Sequence, residues 1–344
     1  MNPLAMIMFL ISLIVGTVIT LSSHHWLLAW IGLEINTLAL LPVMTKTPHP
    51  RAIEAATKYF LTQAAASALM LFSCLINALQ TGEWSISNTP PDLMANSLSI
   101  ALMMKLGMAP LHFWLPEVLQ GISLPTGLIL STWQKIPPMI LLFQISHNIN
   151  LNLMIILSLA SILIGGWGGI GQTQLRKIMA FSSIGHLGWI IVILKFNPQL
   201  SLFSFTLYII MTTAMFISLI MLSSTKMSQM STSWTKNPAL AATTMLILLS
   251  LAGLPPLTGF LPKLLIILEL TKQNMIIFAA LIMLASLLAL FFYLRLTYII
   301  SLTLSPNSIN SSATWRIPMK PHLTAAILNS MALTLLPLAP TILF

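Results

Sequence analysis

From Pro3 to Ser23 the chain runs twenty-one residues without a charged side chain, and comparable apolar stretches return along most of its length. A helical membrane span needs ~20 consecutive, mostly apolar residues. The strict alternation that would mark the strands of a membrane barrel is absent. Composition leads the same way: 57% of the 344 residues are hydrophobic and only 6% are charged, whereas a soluble domain carries about a quarter of its residues as Asp, Glu, Lys and Arg. The chain is therefore expected to be an all-α polytopic membrane protein, a single membrane domain over residues 1–344.

Dividing the apolar runs at polar, proline-rich or charged joints predicts eleven helices. They cover about 3–22, 24–44, 52–80, 93–121, 125–146, 151–172, 176–196, 199–224, 238–270, 274–303 and 322–343. Eleven spans put alternate loops on opposite faces. Even-numbered loops hold Lys46, Arg51, Arg176, Lys177, Lys226, Lys236, Arg316 and Lys320; odd-numbered ones hold only Lys195 and Lys272, beside acidic Glu83 and Asp92. By the positive-inside tendency the even loops and the N-terminus face the cytoplasm or matrix, and the C-terminus emerges opposite.

Several functions are disfavoured at once. No basic leader, cleavage site or Arg-rich transit segment precedes the first span, so nothing is expected to be removed from it. Cys74 is the only cysteine, which leaves no disulfide and no cysteine-ligated cluster or structural zinc within this chain. The net charge of +9 is spread over loops without a dense run, so no nucleic-acid partner is expected. Gly166-Trp167-Gly168-Gly169-Ile170-Gly171 matches G-x-G-x-x-G, but it ends a membrane helix and follows no strand; close helix packing explains it better. The seven histidines form no spaced ligand set, so no metal is assigned.

The stretch K-L-G-M-A-P-L-H-F-W-L-P-E, Lys105 to Glu117, interrupts a run that would otherwise be one membrane helix. It recurs without gaps: Gly107 to Glu117 aligns on Gly253 to Lys263 as G-x-x-P-L-x-x-[WF]-L-P-[EK]. The copies fall on the fourth and ninth helices, five spans apart, so they cross the membrane in opposite directions. Residues 1–147 and 150–303 are then two inverted five-helix repeats with helices 4 and 9 broken, and 320–344 is an additional helix. Paired Gly/Pro breaks in matching positions of two halves point to a transport path, because prolines Pro110, Pro255 and Pro256 free backbone carbonyls that persist at depth only where protein or water satisfies them. As one straight helix, 93–121 would measure roughly 43 Å, against a hydrocarbon core of ~30 Å.

Five ionisable groups lie at depth: Glu34 in W-I-G-L-E-I-N-T-L, Lys105 before the first break, Lys135 before Pro137-Pro138, His186 in helix seven, and Lys263 after the second break. A charge at mid-bilayer costs ~2.5–3.5 kcal/mol on insertion scales, so such groups imply a paired or hydrated interior. A row of them on facing helices is what a proton relay requires. Plainer readings stand beside this one. Glu34 and Lys105 could be a structural ion pair, Lys263 could snorkel, and His186 could be a packing residue. His112 stands just after the broken backbone and is open to the same two readings. His24, His25, His49, His147 and His322, with Lys58 and Glu54, read as interfacial.

These motifs are similar to a known family. M-N-P-L, A-W-I-G-L-E-I-N-T, M-K-L-G-M-A-P-L-H-F-W-L-P-E-V and L-S-L-A-G-L-P-P-L-T-G-F-L-P-K resemble NADH dehydrogenase subunit 2, the antiporter-like membrane chain of respiratory complex I, over essentially the whole sequence. The resemblance implies proton translocation across the mitochondrial inner membrane, driven by electron transfer from NADH to ubiquinone elsewhere in the complex. It makes Glu34 and Lys105 the coupling pair, Lys135 the central relay lysine and Lys263 the group passing protons onward, with His112 and His186 in connecting steps. It implies no cofactor in this chain, with NADH, FMN, iron-sulfur clusters and ubiquinone in the rest of the complex. Partners would be other complex I subunits, especially the neighbouring membrane chains 4L and 4, and phospholipids such as cardiolipin. The N-terminus would lie in the matrix and the C-terminus on the intermembrane-space side. The wider antiporter-like family resembles a fourteen-helix chain, so three helices before the present first one are missing here. The rival reading is an autonomous cation/proton antiporter.

Overall fold

The computed structural model describes residues 3–46, 48–86, 93–302 and 323–336. Asp92, Arg316, Lys320 and His322, which entered the sequence reading, lie outside the described residues. The described chain is helical. It begins with α1 (Pro3–Ser22), α2 (Trp26–Met44), α3 (Pro50–Thr81), α4 (Leu93–Leu106), α5 (Trp114–Gly121) and α6 (Leu124–Ser131), then a 3₁₀ turn at Trp133–Lys135, α7 (Ile136–Ile145) and α8 (Leu151–Ile170). It continues with α9 (Leu175–Leu194), α10 (Pro198–Met221), two short pieces α11 (Met227–Ser231) and α12 (Ser233–Lys236), then α13 (Pro238–Ala252), α14 (Phe260–Lys272), α15 (Ile276–Leu302) and α16 (Leu323–Thr334). Among the described residues seven helices, α1, α2, α3, α8, α9, α10 and α15, are each long and apolar enough to cross a membrane.

Helix starts follow local chemistry. His25 and His49, expected near the interfaces, act as N-caps whose Nδ1 atoms accept from the backbone N–H of Leu27 (3.3 Å) and Arg51 (3.2 Å). Asn237 does the same for Leu240 at 3.2 Å, and Pro50 and Pro238 occupy first-turn positions where a missing N–H costs nothing.

Packing inverts the pattern of a soluble helix. On α1, Leu4, Ile7, Ile11, Ile14 and Val18, spaced three and four apart, point outward, while Gly16, Thr17 and Thr20 are buried. A Cβ on Gly16 would sit 2.9 Å from the Gly32 carbonyl, and one on Gly32 would sit 2.9 Å from the Gly16 carbonyl. Small residues thus bring the α1 and α2 backbones together, as membrane helices require when lipid removes any hydrophobic preference for association. Asn36 fastens this pair: its amide donates to Leu13 O (2.8 Å) and accepts from Thr17 N–H (3.3 Å), entering the backbone ladder of α1.

The fourth and ninth predicted helices are both interrupted. Helix α4 stops at Leu106 and α5 starts at Trp114; α13 stops at Ala252 and α14 starts at Phe260, the same seven-residue gap. Each first piece ends in a Schellman motif with a left-handed glycine, Gly107 at φ 75° and Gly253 at φ 82°. Gly107 N–H donates to Met104 O and Met108 N–H to Met103 O; Gly253 N–H donates to Ser250 O and Leu254 N–H to Leu249 O. Glycine is needed here because a Cβ disfavours this backbone region. At 14 residues α4 is roughly 21 Å long, so it cannot cross a ~30 Å core alone.

The fifth predicted helix differs from expectation. Instead of one rod over 125–146, α6 ends at Ser131, the chain tightens into the 3₁₀ turn, and α7 resumes at Ile136. Pro137 and Pro138 supply the cause: neither offers an N–H to the preceding turn, and their rings crowd carbonyls around Trp133 and Gln134.

The chain divides into two compact units, Met1–Ser161 with Leu194–Pro198, and Ile162–Ile193 with Gln199–Phe344.

Candidate functional site

Each unit encloses its own polar cluster. In the first, Leu33 and Thr37 of α2, Tyr59 and Gln63 of α3, Lys105 of α4, Trp114 of α5, and Gln134 and Lys135 of the 3₁₀ turn line a cavity with about 20 Å³ of space for a water's centre. That is room for about one water. Tyr59 and Gln63, like Leu33 and Thr37, are four residues apart, one helical turn, so each pair shares a face.

Lys105 lies two residues before Gly107, is 6% exposed, and its Nζ has no hydrogen-bond partner among the described residues. The Oε2 atom of Glu34 is likewise buried without one, and no salt bridge joins the two, although the Glu34 charge acts on Lys105 and on Tyr59. The pair is electrostatic rather than bonded. Lys135 is 2% exposed at the end of the 3₁₀ turn. The neighbouring Gln134 amide donates to Asn36 O at 3.3 Å, tying this turn to α2.

At the break of α4 side chains from elsewhere reach last-turn carbonyls: Trp114 Nε1 donates to Met104 O (3.2 Å) beside the Gly107 N–H, and Gln63 Nε2 donates to Lys105 O (3.3 Å). His112 lies in the gap itself, buried, with Nδ1 3.2 Å from Pro110 O and its ring 4.3 Å from that of Phe113. Glu117 does not enter this cluster. It turns outward to Lys58 (2.7 Å), which also pairs with Glu54 (2.6 Å).

In the second unit Lys263 of α14 folds back over the other break and donates to Ala252 O at 2.7 Å, the last carbonyl of α13. A cation is well placed at the negative end of a helix. The fit needs Gly253: a Cβ there would lie 2.8 Å from Lys263 Nζ and 2.9 Å from its Cδ. Lys263, His186 and Trp189 line two further cavities, each with about 20 Å³ for a water's centre. One adds Ser182, Ser286 and Tyr293; the other adds Ser204 and Tyr208. His186 Nε2 is 3.4 Å from Tyr293 Oη, and its ring is 5.9 Å from that of Tyr208. Thr258, the counterpart of His112 in the motif alignment, donates instead to Ala332 O of α16.

Lys105 and Lys135 thus line one cavity, with Glu34 acting on Lys105 through its charge, and His186 and Lys263 line the cavities of the second unit, while His112 stays in the backbone gap. Sequence reasoning missed Tyr59, Gln63, Gln134, Tyr208, Tyr293, Ser182 and Ser183. Their signal was polar pairs one turn apart on otherwise apolar helices: Tyr59/Gln63, Ser182/His186 and Ser204/Tyr208. Among the described residues no group of three His, Cys, Asp or Glu side chains could hold a metal ion.

Lysines beside helix breaks, each lining a water-sized cavity in a helical membrane protein, point to a class: antiporter-like membrane proteins. Residues 23–289 match the family "NADH:quinone oxidoreductase/Mrp antiporter, TM", and residues 290–343 match "NADH dehydrogenase subunit 2 C-terminus". The chain belongs to the NADH dehydrogenase subunit 2 family. It is 75% identical over 343 residues to NADH-ubiquinone oxidoreductase chain 2 of Aquarana catesbeiana, covering 100% of this chain and 99% of that one. It is 58% identical over 341 residues to the chain of the same name in Xenopus laevis, covering 99% of each. Its fold is similar to a chain of respiratory complex I from Thermus thermophilus, with TM-score 0.84 and 24% identity, covering 98% of this chain and 80% of that one. A chain of the Mrp complex from Dietzia sp. is similar at TM-score 0.79 and 21% identity, covering 85% and 60%. The chain is a multi-pass membrane protein of a mitochondrial complex.

Proposed function

We infer that the chain is a proton-translocating core membrane subunit of respiratory complex I, part of an H⁺-translocating NADH:ubiquinone reductase whose redox chemistry lies in other subunits. The observation that carries this is Lys105: a buried ammonium with no bonded partner, under the charge of Glu34 and beside a water-sized cavity. A group held this way changes charge when its neighbours do, which is the elementary act of a relay. Glu34 and Lys105 are the coupling pair, Lys135 the next carrier in the same cavity, and Lys263 with His186 the carriers of the second unit. His112 is a candidate for a connecting step.

The proposed topology has eleven crossings, with α4/α5, α6/α7 and α13/α14 each a crossing in two pieces, and two inverted five-helix repeats within the chain. The breaks support it: 252 − 106 and 260 − 114 both equal 146, so both gaps fall at one offset. Loop pairing supports it too. An isolated bridge joins His25 to Ser85, where Trp26 N–H donates to Trp84 O, and another joins Gln174 to Lys226, where Leu175 N–H donates to Thr225 O. Setting Trp26 on Leu175, an offset of 149, also sets buried Tyr59 on buried Tyr208. The first repeat covers 1–147, the second 150–303, and 320–344 is additional. The basic-loop side, with the N-terminus, is the matrix, and the C-terminus faces the intermembrane space. Chains 4L and 4 and cardiolipin are the proposed neighbours, with NADH, FMN, iron-sulfur clusters and ubiquinone held elsewhere in the complex.

Replacing Lys105 by Met in the assembled complex tests the reading. NADH oxidation by an uncoupled preparation is expected to persist in part while protons pumped per electron fall; unchanged pumping at normal assembly would sink the relay.

A further inference from the structure

The second unit contains a buried hydroxyl system that the lysine relay does not use. Tyr293 and Tyr208 are each 1% exposed, and a phenol buried in an apolar interior usually finds a hydrogen-bond partner for its O–H. Tyr293 and Ser182 line one cavity with their hydroxyls close enough to interact, as are those of Tyr208 and Ser183. Ser182 Oγ donates its only proton to Met179 O at 2.8 Å, so towards Tyr293 it can only accept. Tyr293 Oη lies 3.4 Å from His186 Nε2, with the donor set by the tautomer of the imidazole, so the phenol stands between the imidazole and Ser182.

Helix periodicity aims this system at Lys263. Ser182, Gly185, His186 and Trp189 recur at three- and four-residue steps along one face of α9, and Ser286, Ala289 and Tyr293 do the same along α15. Both faces meet at the cavity that Lys263 also lines.

We propose that Tyr293, with Ser182, is a further proton-carrying link, joining His186 to the water-sized cavity that faces Lys263. This rests on the relay reading above. The transfer balances without any other reactant: a doubly protonated His186 gives its Nε2 proton to the phenol oxygen and becomes neutral imidazole as the phenol's own O–H bond breaks towards Ser182; Ser182 turns its hydroxyl from Met179 O and passes its own proton to a water in the cavity, and that water gives one to a neutral Lys263 amine, which becomes an ammonium. Reversing each step returns the proton. The donor loses one positive charge, the final acceptor gains it, and every group between them ends as it began.

The test uses complex I assembled with Tyr293→Phe, which removes one oxygen and keeps the ring, and separately with Ser182→Ala and Lys263→Met. Coupled NADH oxidation and proton uptake are measured in proteoliposomes per assembled complex, in H₂O and D₂O. A lost proton-transfer link slows a proton-limited step by roughly 100-fold or more. Coupled turnover is therefore expected to fall well beyond the loss of assembly, with a larger solvent isotope effect in Tyr293→Phe and Ser182→Ala than in the parent. A defect of packing alone slows both solvents alike and would overturn the link. So would parental rates in Tyr293→Phe while Lys263→Met loses pumping, an outcome that leaves the relay standing. Parental pumping in all three variants overturns the relay as well.

Discussion

Gly253 does two things that one alanine would undo. Its φ of 82° closes the Schellman turn at the end of α13, and its missing side chain leaves room for the Lys263 stem on its way to Ala252 O. Gly82 separates the two effects, because it also has a left-handed backbone (φ 75°) but has no atom within 4 Å of where a Cβ would be. Gly82→Ala is expected to lose about 1–2 kcal/mol from backbone strain alone. Gly253→Ala is expected to lose more and to move Lys263 off Ala252; thermal unfolding of the two assembled variants, with coupled turnover, checks the difference. The glycine and both charges were legible as letters in a repeated motif. That Lys263 bends back to the break while Glu117, its partner in the alignment, turns out to Lys58 was not legible. Direction depends on which open carbonyl or opposite charge lies within reach, and those belong to other helices.

The two broken helices solve one problem with different donors. An indole N–H from Trp114 covers a last-turn carbonyl of α4, while the corresponding Phe260 has no such donor and the Lys263 ammonium covers α13 instead. Trp114→Phe should thus leave Met104 O with the Gly107 N–H alone, costing about 0.5–1.5 kcal/mol. Hydrogen exchange at the amides of residues 107–113 is expected to quicken, with the corresponding amides of 253–259 unchanged; equal protection at both breaks would contradict the capping role. Both breaks could be read from Gly and Pro spacing. The interruption at 132–135 was missed although Pro137 and Pro138 were in view, because proline at the start of a helix and proline within one leave similar marks in sequence. Only the carbonyls of the preceding turn decide between them.

At the scale of the whole chain, position in the membrane follows from loop charge. Ser228, beside Lys226, and Thr81, beside Glu83, are both exposed and belong to loops of opposite parity. A cysteine substituted for Ser228 is expected to react with a membrane-impermeant maleimide from the matrix side, and one substituted for Thr81 from the other side. Cys74 is buried and should contribute little background. Labelling of both from one side would overturn the proposed threading.

Apolar run length, loop charge and a repeated Gly/Pro motif determined from sequence that this chain is a helical membrane protein interrupted at two matched places, because a bilayer penalises any other use of such residues. The clusters were decided in three dimensions. Lys105 and Lys135 are separated by 30 residues, and the Tyr59, Gln63 and Gln134 side chains that share their cavity carry no charge to draw attention in sequence. The same holds for Ser182 and Tyr293, whose hydroxyls share a cavity with His186 only once α9 and α15 pack. Burial and hydrogen-bond donation are properties of what surrounds a group, so they come into being when the helices pack.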